Sequence, residues 1–245
     1  MKRTQTKPRK LIGFDMNKTL INQGASWYDF NLSMGITPQE DEALYRLGPE
    51  MSGELDYPGW LNELQKLIIS RGHGSIANIN SVLQTYQLYP QAQKAIDLVN
   101  KSGNIPAIVT SGFQITAEKV AKDLGIKYVC FGTTIRFDKK GMLAQIESPP
   151  HDEHYKAEAL EQIAKKLSIC LDDTFYIADG DNDAETFKKV HGIIVKPLDV
   201  SIEDWKLKAI KTGEKFSSDK AYKYAYAAND LLEAVQSALS YDTNI

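Results

Sequence analysis

The sequence predicts an α/β fold, a doubly wound, mostly parallel sheet of Rossmann type with an α-helical cap inserted into it. Three observations predict it. Short apolar runs recur along the chain without polar alternation, as strands do when both of their faces are covered. Stretches with helical periodicity separate most of these runs, which implies βαβ units. One interval, from Ile21 to Asn104, holds only helical patterning and is far too long for a structureless loop.

The first strand is read at Leu11-Ile12-Gly13-Phe14. The helical interval follows, with Trp60, Leu61, Leu64, Leu67 and Ile68 on one face. Ala107-Ile108-Val109 is the second strand, and a helix over 116–124 ends at Gly125, a residue suited to the left-handed position after a helix. Tyr128-Val129-Cys130-Phe131 is the third. In 133–146, Asp138-Lys139-Lys140-Gly141 separates two β-leaning runs, the pattern of a hairpin. A helix over Tyr155–Leu167, a strand at Phe175–Ala178, a helix over Ala184–Val190 and a strand at Gly192–Val195 complete the series. Asp230–Leu239 reads as an amphipathic terminal helix. Residues 1–20 and 105–245 therefore form the core and 21–104 the cap.

Composition narrows the class. With 42% hydrophobic and 25% charged residues the chain has the balance of a soluble globular protein. A net charge of -3 gives no polycationic footprint for nucleic acid. Lys2, Arg3, Lys7, Arg9 and Lys10 make a basic N-terminus, but no apolar run follows to complete a signal peptide. No stretch nears the roughly 18 apolar residues of a membrane span. Cys130 and Cys170 lack metal-ligand spacing and read as buried free thiols. A reducing cytoplasm is the expected location. The oligomeric state is left open.

Chemistry concentrates at strand ends. Asp15 follows the first strand in Phe14-Asp15-Met16-Asn17-Lys18-Thr19-Leu20, where open α/β sheets place their ligands, although an aspartate there can also cap a turn. Asp179-Gly180-Asp181-Asn182-Asp183 gathers three carboxylates after another strand, an arrangement that repels itself unless a cation is present. Hard oxygen ligands suit Mg²⁺. Thr110-Ser111-Gly112 is able to bind a phosphoryl group through a hydroxyl and backbone N–H groups, and is also an ordinary turn. Lys156 taken alone reads as a solvated lysine, and His151 and His154 as exposed loop residues.

Together these residues resemble the four motifs of the haloacid dehalogenase superfamily, in order, between Leu11 and Val195. Within it the chain is most similar to the phosphoserine phosphatase branch, in the placing of the helical insert, in Met51-Ser52-Gly53-Glu54-Leu55-Asp56 and in the helix that carries Lys156. The resemblance implies Asp15 as nucleophile of an aspartyl-phosphate mechanism. It implies Thr110, Ser111, Gly112 and Lys156 as phosphate ligands, and Mg²⁺ held by Asp15, the Asn17 carbonyl and Asp179, with Asp183 in support. The substrate is then a small phosphorylated metabolite.

Three positions depart from the pattern. Phosphatases of the superfamily carry an aspartate where this chain has Asn17, and an amide neither gives nor takes a proton near neutral pH. Three origins fit: a substitution introduced to trap a ligand, a natural slow enzyme with a leaving group that needs little protonation, or a binding or regulatory protein that kept the site and lost turnover. Phosphoryl transfer to an acceptor other than water is a further reading. Gly24 and Leu64 fall where phosphoserine enzymes bind the ammonium and carboxylate of their substrate, so another substrate is expected. Arg46 and Arg71 are the cap cations able to replace that arginine, with a surface role as the plainer reading. Trp27, Tyr28, Phe30 and Trp60 are read as cap core or, alternatively, as the lining of an apolar pocket.

Overall fold

The computed structural model describes residues 9–23, 27–48, 51–148, 155–180, 183–196, 201 and 225–241. Gly24, His151, His154, Asp181 and Asn182, which the sequence reading singled out, lie outside them.

Seven strands form one sheet: β1 (Leu11–Phe14), β4 (Ile105–Phe113), β5 (Tyr128–Phe137), β6 (Leu143–Glu147), β7 (Thr174–Ala178), β8 (His191–Val195) and β9 (Ala225–Ala228), in the order β6-β5-β4-β1-β7-β8-β9. All neighbours are parallel except β5 and β6, the expected hairpin. From central β1 the chain builds outward first through β4 and β5, then through β7, β8 and β9. The direction therefore reverses at β1, and the carboxyl ends of β4, β1 and β7 border the crevice where such sheets bind ligands.

Alternation along each strand divides the core in two. Ile12, Phe14, Ile108, Phe175, Ile177 and Ile193 point to one face, where α5 (Ala92–Lys101), α6 (Gln114–Leu124) and α9 (Leu231–Ser240) cover them. Leu11, Ala107, Val109, Tyr176, Ala178 and Ile194 point to the other, under α7 (Tyr155–Leu167) and α8 (Ala184–Lys189). Burial on both faces is why these strands read as continuous apolar runs. At the far end of β1, Lys10 Nζ donates to the carbonyls of Ala238 and Tyr241 and so fastens the last turn of α9 to the sheet.

The insert carries α1 (Trp27–Ser33), α2 (Pro38–Leu47), α3 (Tyr57–Ser70) and α4 (Ile76–Leu83), besides β2 (Ile21–Gln23), which pairs antiparallel with β3 (Gln87–Leu88). Thr37 and Glu40 form a capping box at the start of α2, and Asp56 caps α3. Phe30, Met34, Leu44, Leu61, Leu64, Ile68, Ile79 and Leu83 make its core, shared with Phe113, Leu143 and Ile146 of the sheet. Hydrogen bonds tie it to the hairpin: Leu143 N–H donates to Gly74 O at 2.7 Å and Ile76 N–H to Gly141 O at 2.8 Å. By contrast, Ala92, Ala95, Ile96 and Val99 of α5 pack against the sheet. We therefore propose that the cap ends at β3 and that α5 belongs to the core layer.

Two expectations need correction. Cys130 is half-buried and Cys170 is exposed, so the latter is no core thiol: it lies in the turn before the 3₁₀ segment Leu171–Asp173 rather than in a strand. The helix after the second strand begins at Gln114 because β4 runs on through a bulge to Phe113. Among the described residues no helix is long and apolar enough to cross a membrane.

Candidate active site

Strand pairing brings the first and last motifs together. Phe14 of β1 is level with Ile177 of β7, and the Asp15 N–H donates to the Ile177 carbonyl at 2.9 Å. Asp15 and Asp179 therefore leave adjacent strands at neighbouring levels. The chain turns back at once: Lys18 adopts the left-handed conformation (φ 55°), Lys18 N–H donates to Ile21 O at 2.8 Å, and Asn17 bridges to Ile21. This tight return holds Asn17, half-buried, over the strand ends.

Lys156, the second residue of α7, is buried and not solvated. Its Nζ lies 3.2 Å from Asp15 Oδ1 and 2.6 Å from Asp183 Oδ1, joining the first, third and fourth motifs in one ionic group. Gly13 permits this approach. A Cβ at that position would stand 2.6 Å from Leu160 Cδ2, one turn along α7 from Lys156, and 3.0 Å from the Tyr176 ring. Gly13→Ala is expected to destabilise the fold by about 1–3 kcal/mol through overpacking. Thermal unfolding measures it, and an unchanged melting temperature would show that α7 rides up without strain.

The electrostatics follow from burial. Desolvation, with the Asp15 charge added, raises the Asp179 carboxyl to about 6 against the opposing pull of Lys18 and Lys156. Desolvation raises Asp183 as well, while Lys156 opposes it. Burial alone would depress the Lys156 ammonium, but Asp15 and Asp183 overrule it and hold it above its usual value. Asp183 Oδ2 is fully buried and has no hydrogen-bond partner among the described residues. An orphaned carboxylate oxygen and a raised neighbouring carboxyl in a group with more acids than bases suit a small divalent cation of hard-ligand preference. Among the described residues no three acidic, thiol or imidazole side chains already stand as a metal cluster, so the fit rests on charge and on that oxygen.

The Thr110-Ser111-Gly112 segment borders the same crevice. Thr110 is buried at the bulge of β4, and the Gly112 N–H donates to Thr110 Oγ1 at 3.1 Å. A Cβ on Gly112 would meet Met16 Cε at 3.0 Å, Thr110 Oγ1 at 3.2 Å and Asn17 Nδ2 at 3.5 Å, so this peptide packs closely on the first motif. The structure thus brings Asp15, Asn17, Thr110, Gly112, Lys156 and Asp183 together, with Asp179 directly after β7. Ser111, exposed between Thr110 and Gly112, enters through its peptide group.

The cap residues sort as follows. Leu64 is wholly buried in the cap core. Arg46 is paired with Glu42 and Arg71 with Glu40 on the surface. Phe30 is core, Trp27 and Trp60 are half-buried at its edge, and Tyr28 is exposed. Sequence reasoning missed Thr133, Ser148 and Tyr57, which reach the phosphate strand from behind. No local motif marks them, since the contacts join residues distant in the chain.

A parallel sheet with a carboxylate, a buried lysine and an acidic group at its switch point is the arrangement of a hydrolase fold whose ligand lies at the strand ends. The profile of the haloacid dehalogenase-like hydrolases matches residues 12–188, and the chain belongs to that family, beside its phosphoserine phosphatase-like members. It is 29% identical over 183 residues to the phosphoserine phosphatase of Methanocaldococcus jannaschii, across 75% of this chain and 83% of that protein. It is 23% identical over 180 residues to the phosphoserine phosphatase of Archaeoglobus fulgidus, of which it spans 50%. Among solved structures, a phospho-aspartyl intermediate analogue of phosphoserine phosphatase aligns with TM-score 0.65 and 25% identity over 94% of this chain and 99% of the other. A substrate-bound phosphoserine phosphatase aligns with TM-score 0.66 at 24% identity over the same shares, a likeness of fold.

Proposed function

We propose that this chain is a magnesium-dependent phosphomonoester hydrolase that works through Asp15 and is slowed by Asn17. The observation that carries the reading is Lys156 between Asp15 and Asp183, which joins three motifs in one buried group. Asp15 attacks phosphorus in line, the P–O bond to the leaving group breaks, and the phosphoryl group rests on the carboxylate until water displaces it. Lys156 offsets the repulsion between that carboxylate and the substrate dianion. Thr110 and the Gly112 N–H donate to phosphoryl oxygens as their charge redistributes. Mg²⁺, when held by Asp15, the Asn17 carbonyl and Asp179 with Asp183 behind them, supplies further neutralisation of those oxygens.

The basic residues between 21 and 88 are Arg46, Lys66, Arg71 and His73. Each of the three permanent cations is paired with a cap carboxylate at the surface. Leu64 sits where a carboxylate-binding arginine is expected, in the cap core. This supports a phosphorylated compound whose leaving group carries no carboxylate for the cap to grip, in place of phosphoserine.

Asn17 favours a second reading, a phosphometabolite-binding protein with residual turnover. The readings separate on two measurements. Mg²⁺-dependent phosphate release from an aryl phosphate, lost in Asp15→Asn, supports the hydrolase. Tight calorimetric binding of a phosphorylated compound without release supports the binding protein. Failure of both, in a folded chain, removes the phosphoryl site.

A further inference from the structure

The peptide that faces the phosphate crevice is held from behind by a chain of hydroxyl groups reaching into the cap. Thr133 Oγ1 of β5 donates to the Ser111 carbonyl at 3.0 Å. Its proton being used there, the 2.9 Å contact with Ser148 Oγ is donated by Ser148. Ser148 Oγ in turn accepts from the Tyr57 hydroxyl at 3.2 Å. The donors therefore run one way, from Tyr57 through Ser148 and Thr133 to Ser111. Thr133 is wholly buried, and Tyr57, the first residue of α3, is buried with its ring stacked on Trp60 at 5.7 Å.

The Ser111 carbonyl and the Gly112 N–H are the two ends of one planar trans peptide and point in opposite directions. Fixing the carbonyl toward Thr133 aims the N–H at Thr110 Oγ1 and the first-motif loop. The cap touches the next residue as well: the Trp27 and Phe30 rings lie 4.7 and 4.8 Å from that of Phe113. A polar and an apolar contact from the cap thus flank the phosphate-binding peptide.

We propose that Thr133 is a positioning residue for the Ser111–Gly112 peptide and that Tyr57 transmits the seating of the cap to it, so that cap docking and phosphoryl binding are coupled. The proposal rests on the phosphate site argued above. By linkage, phosphate must then tighten the cap by the same factor by which the seated cap tightens phosphate.

The test is calorimetry of inorganic phosphate with Mg²⁺ on the full chain, beside melting temperatures and Mg²⁺ affinity without phosphate. Thr133→Val is expected to weaken phosphate about ten-fold, the worth of one buried hydrogen bond, with Mg²⁺ affinity unmoved. Thr133→Ser, which keeps the hydroxyl, retains the affinity. Tyr57→Phe keeps the ring stack and weakens phosphate about three- to ten-fold. Saturating phosphate slows hydrogen exchange of α3 in the unsubstituted chain and not in Tyr57→Phe. Phosphate affinity unchanged in both Thr133→Val and Tyr57→Phe overturns the coupling while the phosphate site stands. A loss in Thr133→Ser equal to that in Thr133→Val assigns the effect to packing and also overturns it. If Thr133→Val does not fold, Tyr57→Phe decides. An unsubstituted chain that binds no phosphate removes the site and the coupling together.

Discussion

Asn17→Asp is expected to raise the rate of phosphate release measured with Mg²⁺ by about 10²–10⁴-fold, the usual worth of a positioned general acid–base group. The gain appears mainly in kcat. The Asn17 side chain faces the Gly112 peptide with its amide, held half-buried over the strand ends by the tight return at Lys18. A carboxyl in its place lies where it is able to protonate the leaving oxygen and then take a proton from the attacking water. Asn17 offers neither step, so solvent must supply the proton to the leaving oxygen and accept the one from the attacking water. Asp15, Thr110, Gly112 and Lys156 are untouched by the change, so phosphate affinity moves far less than turnover. The added carboxylate also joins a group already rich in acids, which makes the substituted protein more dependent on the cation. Steady-state kinetics on an aryl phosphate, with and without Mg²⁺, check this. A folded Asn17→Asp protein that binds phosphate yet releases none would refute the hydrolase reading and leave the binding protein.

How far the sequence discloses this site depends on how local its determinants are. Asp15, Thr110 and Asp179 were legible because each closes an apolar run, and strand ends on an open sheet are where ligands bind. Lys156 was not legible from its surroundings: its burial is set by Gly13, which lets α7 close onto β1, and that approach joins distant segments. The hairpin was readable from its turn residues, but its fusion to the cap through Gly74 and Gly141 was not. For the same reason β9 went unread, since Ala225-Tyr226-Ala227-Ala228 lacks the β-branched residues that mark a strand and pairs only because β8 offers an edge. The Tyr57–Ser148–Thr133 chain has no sequence signature at all.

Lys156→Met is expected to lower stability by about 3–5 kcal/mol, because it strips a buried ion group of its cation and leaves Asp15 and Asp183 uncompensated. For a chain of this size that is a fall in melting temperature of about 6–20 °C. The methionine fills the volume, so the loss reports charge rather than a cavity. Its pH dependence has a definite sign. Asp183 and Asp179 already have carboxyls raised above the usual value by burial, and without the lysine Asp183 rises further. A carboxyl whose folded value exceeds its unfolded one binds more protons in the folded state, so it destabilises the fold at high pH and ceases to do so as pH falls toward the unfolded value. The deficit of Lys156→Met therefore grows as pH rises from about 7 to about 9, where Asp183 ionises in the unsubstituted chain but ionises at greater cost without the lysine. Asp183→Asn added to Lys156→Met recovers part of the loss at about pH 9, since it removes a carboxyl that ionises there without its cation. Thermal unfolding of the three proteins in metal-free buffer across that range is the measurement. Equal melting temperatures for the unsubstituted chain and Lys156→Met at pH 7 would mean that the carboxylates are not stranded, and that the ion group does not hold the two ends of the site together.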